Sequence, residues 1–405
     1  MGEDQTGLEG NGMYEENPDL RLVEFSELIC SADLGNELGK VGKKFISSML
    51  FGISRSGSLN LTDISKALNQ KIRVHATHKR LSRNLENREL SANLADRLLR
   101  LGAEEVGPDT RLIIHLHGIS KKYASKIEYL GKSERLVDNG FRLCEIFASE
   151  PESETYVPLL VHVWSDQVPG YVSDAEEIRK TVLRVQAATS NRAAFYVDDQ
   201  SFSYELFEPI MKDPEIKYVS LLQREEVQLL HKDKLYTVSE LLEKAQTRYA
   251  KILYKLAPEG TVGESQTDVD VFFEVGALPV QLKSSERRLN FVALKGNSLL
   301  GDTFTPVLTT KTNLRSRKLL MGLVEGWLSV QDIIGAHSAM RDSFRPENFR
   351  VLTYVRLQFL LTLLEAVIRY EVSVRGNVLI GGQRYASRPH DGKLDRTYLL
   401  PKGES

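Results

Sequence analysis

Cysteine is scarce: Cys30 and Cys144 are the only two in 405 residues. Two thiols so far apart, with no second pair, exclude a disulfide framework and a cysteine-built zinc knot, and they fit a reducing cytosol. Net charge is also nearly absent, with 53 basic against 55 acidic residues. That balance decides nothing about a nucleic-acid partner, because acidic residues elsewhere can offset a basic face, so local charge matters instead. Long apolar runs are missing too. The most apolar helical stretch, 354–370, is interrupted by Arg356, Gln358, Glu365 and Arg369 and reads as a core helix, not a membrane span. Residues 1–18 have neither a basic n-region nor an apolar h-region, so the expectation there is a disordered acidic leader and no secretion signal. No internal repeat is visible.

What is present is ordinary globular composition, 41% hydrophobic and 27% charged, with length for roughly two to four domains. Residues 19–101 carry apolar positions at helical spacing. Within them, Asn60 is placed to cap a helix whose inner face is Leu61, Ile64 and Leu68. Asn69 and Gln70 then make a turn, and a second helix turns Leu81 and Leu85 inward. The outward residues His75, Lys79, Arg80 and Arg83 give the layout of a helix-turn-helix with a basic recognition helix. Lys66, Lys71, Arg73, Arg88, Arg97 and Arg100 add to a local positive surplus suited to neutralising phosphates; the plainer reading is a solvated helical face.

From Gly107 and the Pro108-Asp109 turn the pattern changes. Strands are expected over 112–116, 141–148 and Val157–Trp164, with Pro158 confining its strand to a start or an edge. An amphipathic helix follows over Asp174–Ala188, then a strand at 193–198, a helix at 204–211 and a strand at 218–222. Short strand-like pieces at 227–231, 235–238, 271–275, 291–295 and 305–310, with a helix at 239–248, make 223–315 a β-rich insertion too long to be a loop. Helices resume at 316–340 and 350–370. The tail from Arg375 offers little pattern and reads as flexible.

The segment 111–124 is the centre of this arrangement: an apolar strand that breaks at Gly118 into Ser120-Lys121-Lys122-Tyr123-Ala124. Further matches are Lys79-Arg80-Leu81-Ser82-Arg83-Asn84-Leu85 in the helical head, Pro158-Leu159-Leu160 in the third strand, and Phe195-Tyr196-Val197-Asp198 followed by Leu206-Phe207-Glu208-Pro209. On these residues the chain, over 45–368, resembles bacterial insertion-sequence transposases of the DDE type, the insertion-sequence-four class. The resemblance implies an α/β fold: a ribonuclease H-like mixed sheet with helices, preceded by an all-helical DNA-binding head and interrupted by a β-rich insertion. The implied organisation is a leader at 1–18, a helix-turn-helix domain at 19–106, a core at 107–222 and 316–372, the insertion at 223–315 and a tail at 373–405.

The resemblance also says where the chemistry should lie. In that family, carboxylates on the first strand, the fourth strand and the helix after the insertion hold two divalent cations that activate the attacking oxygen and stabilise the leaving one. Here His115 stands at the first position, with His117 and Gly118 where the family has Ser and Asp, Asp198 survives at the second, and Gln331 takes the third, in a run where Val324, Trp327 and Ser338 replace the other family residues. A slip by one residue would bring in Asp332. His115 and His117, two apart on a strand, share a face, where a core or surface histidine is a commoner reading than a metal ligand.

The reading preferred on sequence is a cytoplasmic, nucleoid-associated DNA-binding protein of transposase descent, unable to cleave or transfer strands. DNA contacts are expected at Lys79, Arg80, Arg83, Arg73, His75, Lys121 and Lys122. Double-stranded DNA is the implied partner, a homodimer is left open, and no membrane or cofactor is expected. Two alternatives stay open. One is an active nuclease with a rearranged site in which Asp198, Asp199, Asp332 and His115 hold manganese or zinc, with magnesium or manganese as its cofactor. The other is an interaction scaffold that has lost DNA.

Overall fold

A computed structural model describes residues 18–386 apart from 32, 34–37, 122–125, 132–138, 152–154, 198–203, 223–226, 247–248, 251–253, 257–266, 270–271, 284, 286, 299–300, 312–313, 315, 375–376 and 381–382. Five helices lead: α1 (Pro18–Ile29), α2 (Lys40–Ser56), α3 (Leu61–Ala67), α4 (Val74–Asn84) and α5 (Arg88–Glu104). Then come β1 (Arg111–Ser120), β2 (Gly140–Ser149), β3 (Val157–Trp164), α6 (Asp174–Ala188), β4 (Ala194–Val197), α7 (Tyr204–Lys212) and β5 (Tyr218–Leu221). The next stretch holds β6 (Leu229–His231), β7 (Lys234–Tyr236), α8 (Val238–Lys244), β8 (Tyr249–Ala250), β9 (Tyr254–Leu256), β10 (Thr267–Val269), β11 (Phe272–Leu282), β12 (Arg288–Ser298) and β13 (Gly301–Thr309). α9 (Arg317–Ser343), a 3-10 turn at Pro346–Asn348, α10 (Tyr354–Arg369), a π turn at Tyr370–Val374 and a hairpin of β14 (Asn377–Ile380) and β15 (Gln383–Ala386) complete the described chain.

The fold is α/β on one large mixed sheet, in the order β3-β2-β1-β4-β5-β13-β12-β11-β6-β7, with β8 pairing β11. β1, β2 and β3 form an antiparallel meander, β4 and β5 run parallel to β1, and β13 returns antiparallel to β5. β1 shows why the sheet is covered on both faces. Its residues alternate, so Ile113 and Ile119 join one apolar cluster with α9, α10 and the leading helices, while Leu112, Ile114 and Leu116 join another with α6 and α7. Pro158 lies second in β3 at the end of the sheet, the edge place its missing N–H requires.

Three sequence expectations change. β1 does not break at Gly118: its ladder with β2 continues to Ser120 opposite Gly140, and the polar residues His115, His117 and Gly118 lie inside the strand. Gly140 is required there, because a Cβ would collide with the backbone oxygen of Ile119. The segment after Arg375 is not featureless, since β14 and β15 pair in it. Arg97 is not part of a basic surface; it is buried and its guanidinium donates to the carbonyls of Ile29, at 3.2 Å, and Ser31.

The helical pair α3 and α4 forms as its residues dictate. The Asn60 side chain accepts from the Thr62 N–H at 2.9 Å, Leu61 and Ile64 are buried, and Asn69 turns the chain with a φ of 42°. α4 turns Thr77 and Leu81 inward. No helix among the described residues is long and apolar enough to cross a membrane.

Candidate functional site

The alternation along β1 places His115 and His117 on the face covered by α9, their rings stacked 5.0 Å apart. Antiparallel register sets Glu145 of β2 directly opposite His115, so its carboxylate enters the same space. From α9, His337 and Arg341 stand one helical turn apart and reach that carboxylate together. Glu145 Oε2 lies 2.9 Å from His117 Nε2, accepts from His337 Nε2 at 2.8 Å, and meets Arg341 Nη1 at 3.3 Å. Ser338, adjacent to His337, brings its hydroxyl to 3.3 Å from His115 Nε2. α10 adds Glu365 from behind, and Phe147 stacks on the His337 ring at 4.7 Å while Tyr156 meets it edge-on at 5.3 Å.

Glu145, His337 and Glu365 are almost wholly excluded from solvent, at 1%, 0% and 5% exposure. Burying two carboxyl groups side by side is costly unless their charges differ. Burial, and then the negative Glu145, push Glu365 well above the usual carboxylate range, so it stays neutral and hydrogen-bonds to Glu145. Burial acts on Glu145 in the same upward sense, but His117, His337 and Arg341 outweigh it and hold that group well below the usual range. Burial lowers both His115 and His117; for His115 the neighbouring His117 adds to a fall well below the ordinary imidazole value. The described centre is one buried carboxylate, one guanidinium, a neutral carboxyl, the His337 ring, and the His115 and His117 imidazoles held toward their neutral form. Burial, then Glu365 and Glu145, raise the Tyr156 phenol well above its ordinary value, and its hydroxyl is buried with no hydrogen-bond partner among the described residues.

Sequence reasoning reached His115 and His117, and named Ser338 only as a position where a family residue is replaced; the structure sets His115 beside both. It missed Glu145, His337, Arg341 and Glu365. Asp198, Asp199 and Lys122 lie outside the described residues; Val197 is registered with Ile114, one residue before His115. Gln331 and Asp332 are in α9, but their side chains, like that of Val324, are outside the described set. Trp327 is buried core. The described residues do not fit a pair of magnesium ions. They offer imidazoles where bridging oxygens are needed, and their ionised carboxylate already carries a guanidinium.

The expected DNA contacts separate by exposure. Arg73, His75, Lys79 and Arg83 are exposed on or beside α4, and Arg80 is half-buried, donating to Gln70 Oε1 at 2.9 Å. Lys121 is engaged elsewhere: its ammonium donates to the carbonyls of Phe349, at 2.8 Å, and Glu347, and sits over the Phe349 ring. It ties the end of β1 to the 3-10 turn.

No family model and no curated protein matches this chain.

Proposed function

We propose that the protein is a DNA-binding protein of DDE-transposase descent whose strand-cleaving centre has been replaced by a buried hydrogen-bonded network. The observation that carries the reading is the path of the sheet. Three antiparallel strands, then two strands parallel to the first, in the order β3-β2-β1-β4-β5, match a ribonuclease H-like core. The β-rich stretch enters after β5, and α9 then returns to β1. On that frame the mid-strand position of the family's first carboxylate is His115, and α9 answers it with Ser338, His337 and Arg341 in place of a metal-bridging acid.

The DNA-facing element is α4. Its Lys79 and Arg83, with Arg73 before its first turn and Lys66 and Lys71 close in sequence, are all exposed cations. Each phosphate neutralised there releases counterions, so binding should weaken steeply with salt. Lys121 is left out of this interface because two carbonyls already occupy its ammonium.

Two assays test the proposal. Filter or gel retention of duplex DNA should be lost in the triple variant Lys79→Glu, Arg80→Glu, Arg83→Glu; unchanged retention removes the DNA-binding reading and leaves an interaction scaffold. Incubation with magnesium or manganese and the DNA flanking its own gene should give no specific nicking. Nicking that disappears in Asp198→Ala would show an active nuclease instead.

A further inference from the structure

We infer that His115, His117 and Glu145 form a binding site for a single transition-metal ion of the zinc class. This goes beyond the proposed DNA binding and is independent of it, since none of these ligands lies on α4. The donor atoms of the three side chains all lie within 4.8 Å of one another. They come from rigid elements: two imidazoles two residues apart on β1, and a carboxylate directly across on β2. Two imidazoles and one carboxylate make a donor set that selects zinc, cobalt or iron over magnesium, which prefers oxygen throughout.

The contact between His117 and Glu145 points the same way. Nε2 is buried and lies 2.9 Å from Glu145 Oε2, yet among the described residues it has no well-aligned hydrogen-bond partner. The ring nitrogen and the oxygen are close without being aimed at each other. An ion about 2.0–2.2 Å from each donor would use both lone pairs at such a separation. Outer partners are in place as well: His337 Nε2 at 2.8 Å fixes the carboxylate, and Ser338 Oγ at 3.3 Å orients His115. Arg341 makes the longest of the three contacts to Glu145 Oε2, so the guanidinium is the group that yields when an ion arrives.

Exposure separates this triad from its neighbour. Glu145, His337 and Glu365 also cluster, but all three are sealed in the core. His115 and His117 are only partly covered, so this triad lies nearer the surface than its neighbour. One ion of this kind does not restore the two-ion arrangement needed for strand transfer.

The test uses the full-length chain stripped with chelator and titrated with zinc chloride alone. Calorimetry should show saturable binding at one ion per chain, and the thermal midpoint should rise with zinc. The affinity should fall by at least about a hundredfold in His117→Asn, and comparably in His115→Asn, and the midpoint rise should shrink with it, with the far-ultraviolet circular dichroism of each variant checked. Cobalt added to the unmutated chain should give the visible absorption of a four- or five-coordinate nitrogen and oxygen site, a readout that needs no variant to fold. Absence of a zinc-dependent shift, a shift that persists in both folded variants, or a cobalt spectrum no different from the free aqueous ion would overturn the inference.

Discussion

At Glu145 a single oxygen faces His117, His337 and Arg341, while Glu365 shares the same dry space as a neutral acid. The two carboxyls therefore respond differently to substitution. Glu145→Ala leaves Arg341 with only the exposed Asp342, 3.2 Å away, as counter-charge and should cost about 3 kcal/mol of stability. Glu365→Gln keeps a neutral group of the same shape with both a donor and an acceptor, and should change stability by less than about 1 kcal/mol. Urea titration of metal-free protein measures both, and equal losses would mean that Glu365 is ionised. These acids left a trace in the sequence: Glu145 is the lone acid in the apolar run 141–148, and Glu365 interrupts the most apolar helix. Their meeting was not legible, because it depends on a strand and two helices that follow it about two hundred residues later in the chain. His115 and His117 were legible as sharing a face, since strand alternation is a local rule.

Among the elements, α6 shows how a helix is docked by polar as well as apolar contacts. Ser173 caps it at 3.2 Å, Asp174 accepts from Arg142 at 2.5 Å and from Trp164 and Tyr171 at 2.9 Å, and Glu177 contacts His162 of β3 at 2.8 Å. The hydrogen bond to His162 lowers Glu177 below its ordinary value of 4.5, against the opposing effect of burial, and Lys180 adds to the fall. The folded state thus favours the ionised form. Its contribution is fully present above that ordinary value and disappears as pH falls through the lowered one. Unfolding free energy of the unmutated chain should therefore decline with acidification below about pH 4.5, and Glu177→Gln should flatten that decline; an unchanged slope would remove Glu177 as a source. The bounds of β3 and α6 could be read directly from a short, mostly apolar run and from helical periodicity. Those of β1 could not: polar residues in its second half imitate a strand end, and only the pairing partner β2 shows that the ladder continues.

For the molecule as a whole, the leading helices and the sheet are held by one apolar cluster. Phe45 packs on Phe359 and Phe25 on Tyr370; Arg369 of α10 donates to Leu98 O at 3.1 Å and pairs with Glu105 at 2.6 Å; Ser54 donates to Glu371 at 3.0 Å. Gly102 of α5 sits where a Cβ would strike Leu159 of β3. The segment 18–106 expressed alone should therefore lack stable helix by circular dichroism, and the intact chain should lose helicity and Trp164 and Trp327 fluorescence in one transition; a well-folded isolated head would contradict this. The seam between β5 and β13 carries a last consequence. Three residue pairs, Leu221 with Val307, Ser220 with Leu308 and Val219 with Thr309, join β13 and the strands beyond it to β5. Cut out 223–315 and bridge the gap with a short linker, and the amides along β5 become a bare template for any neighbouring chain. Such a trimmed protein should elute as ladders of self-associated species on size exclusion, with the intruding stretch revealed as a lid that keeps the molecule from polymerising.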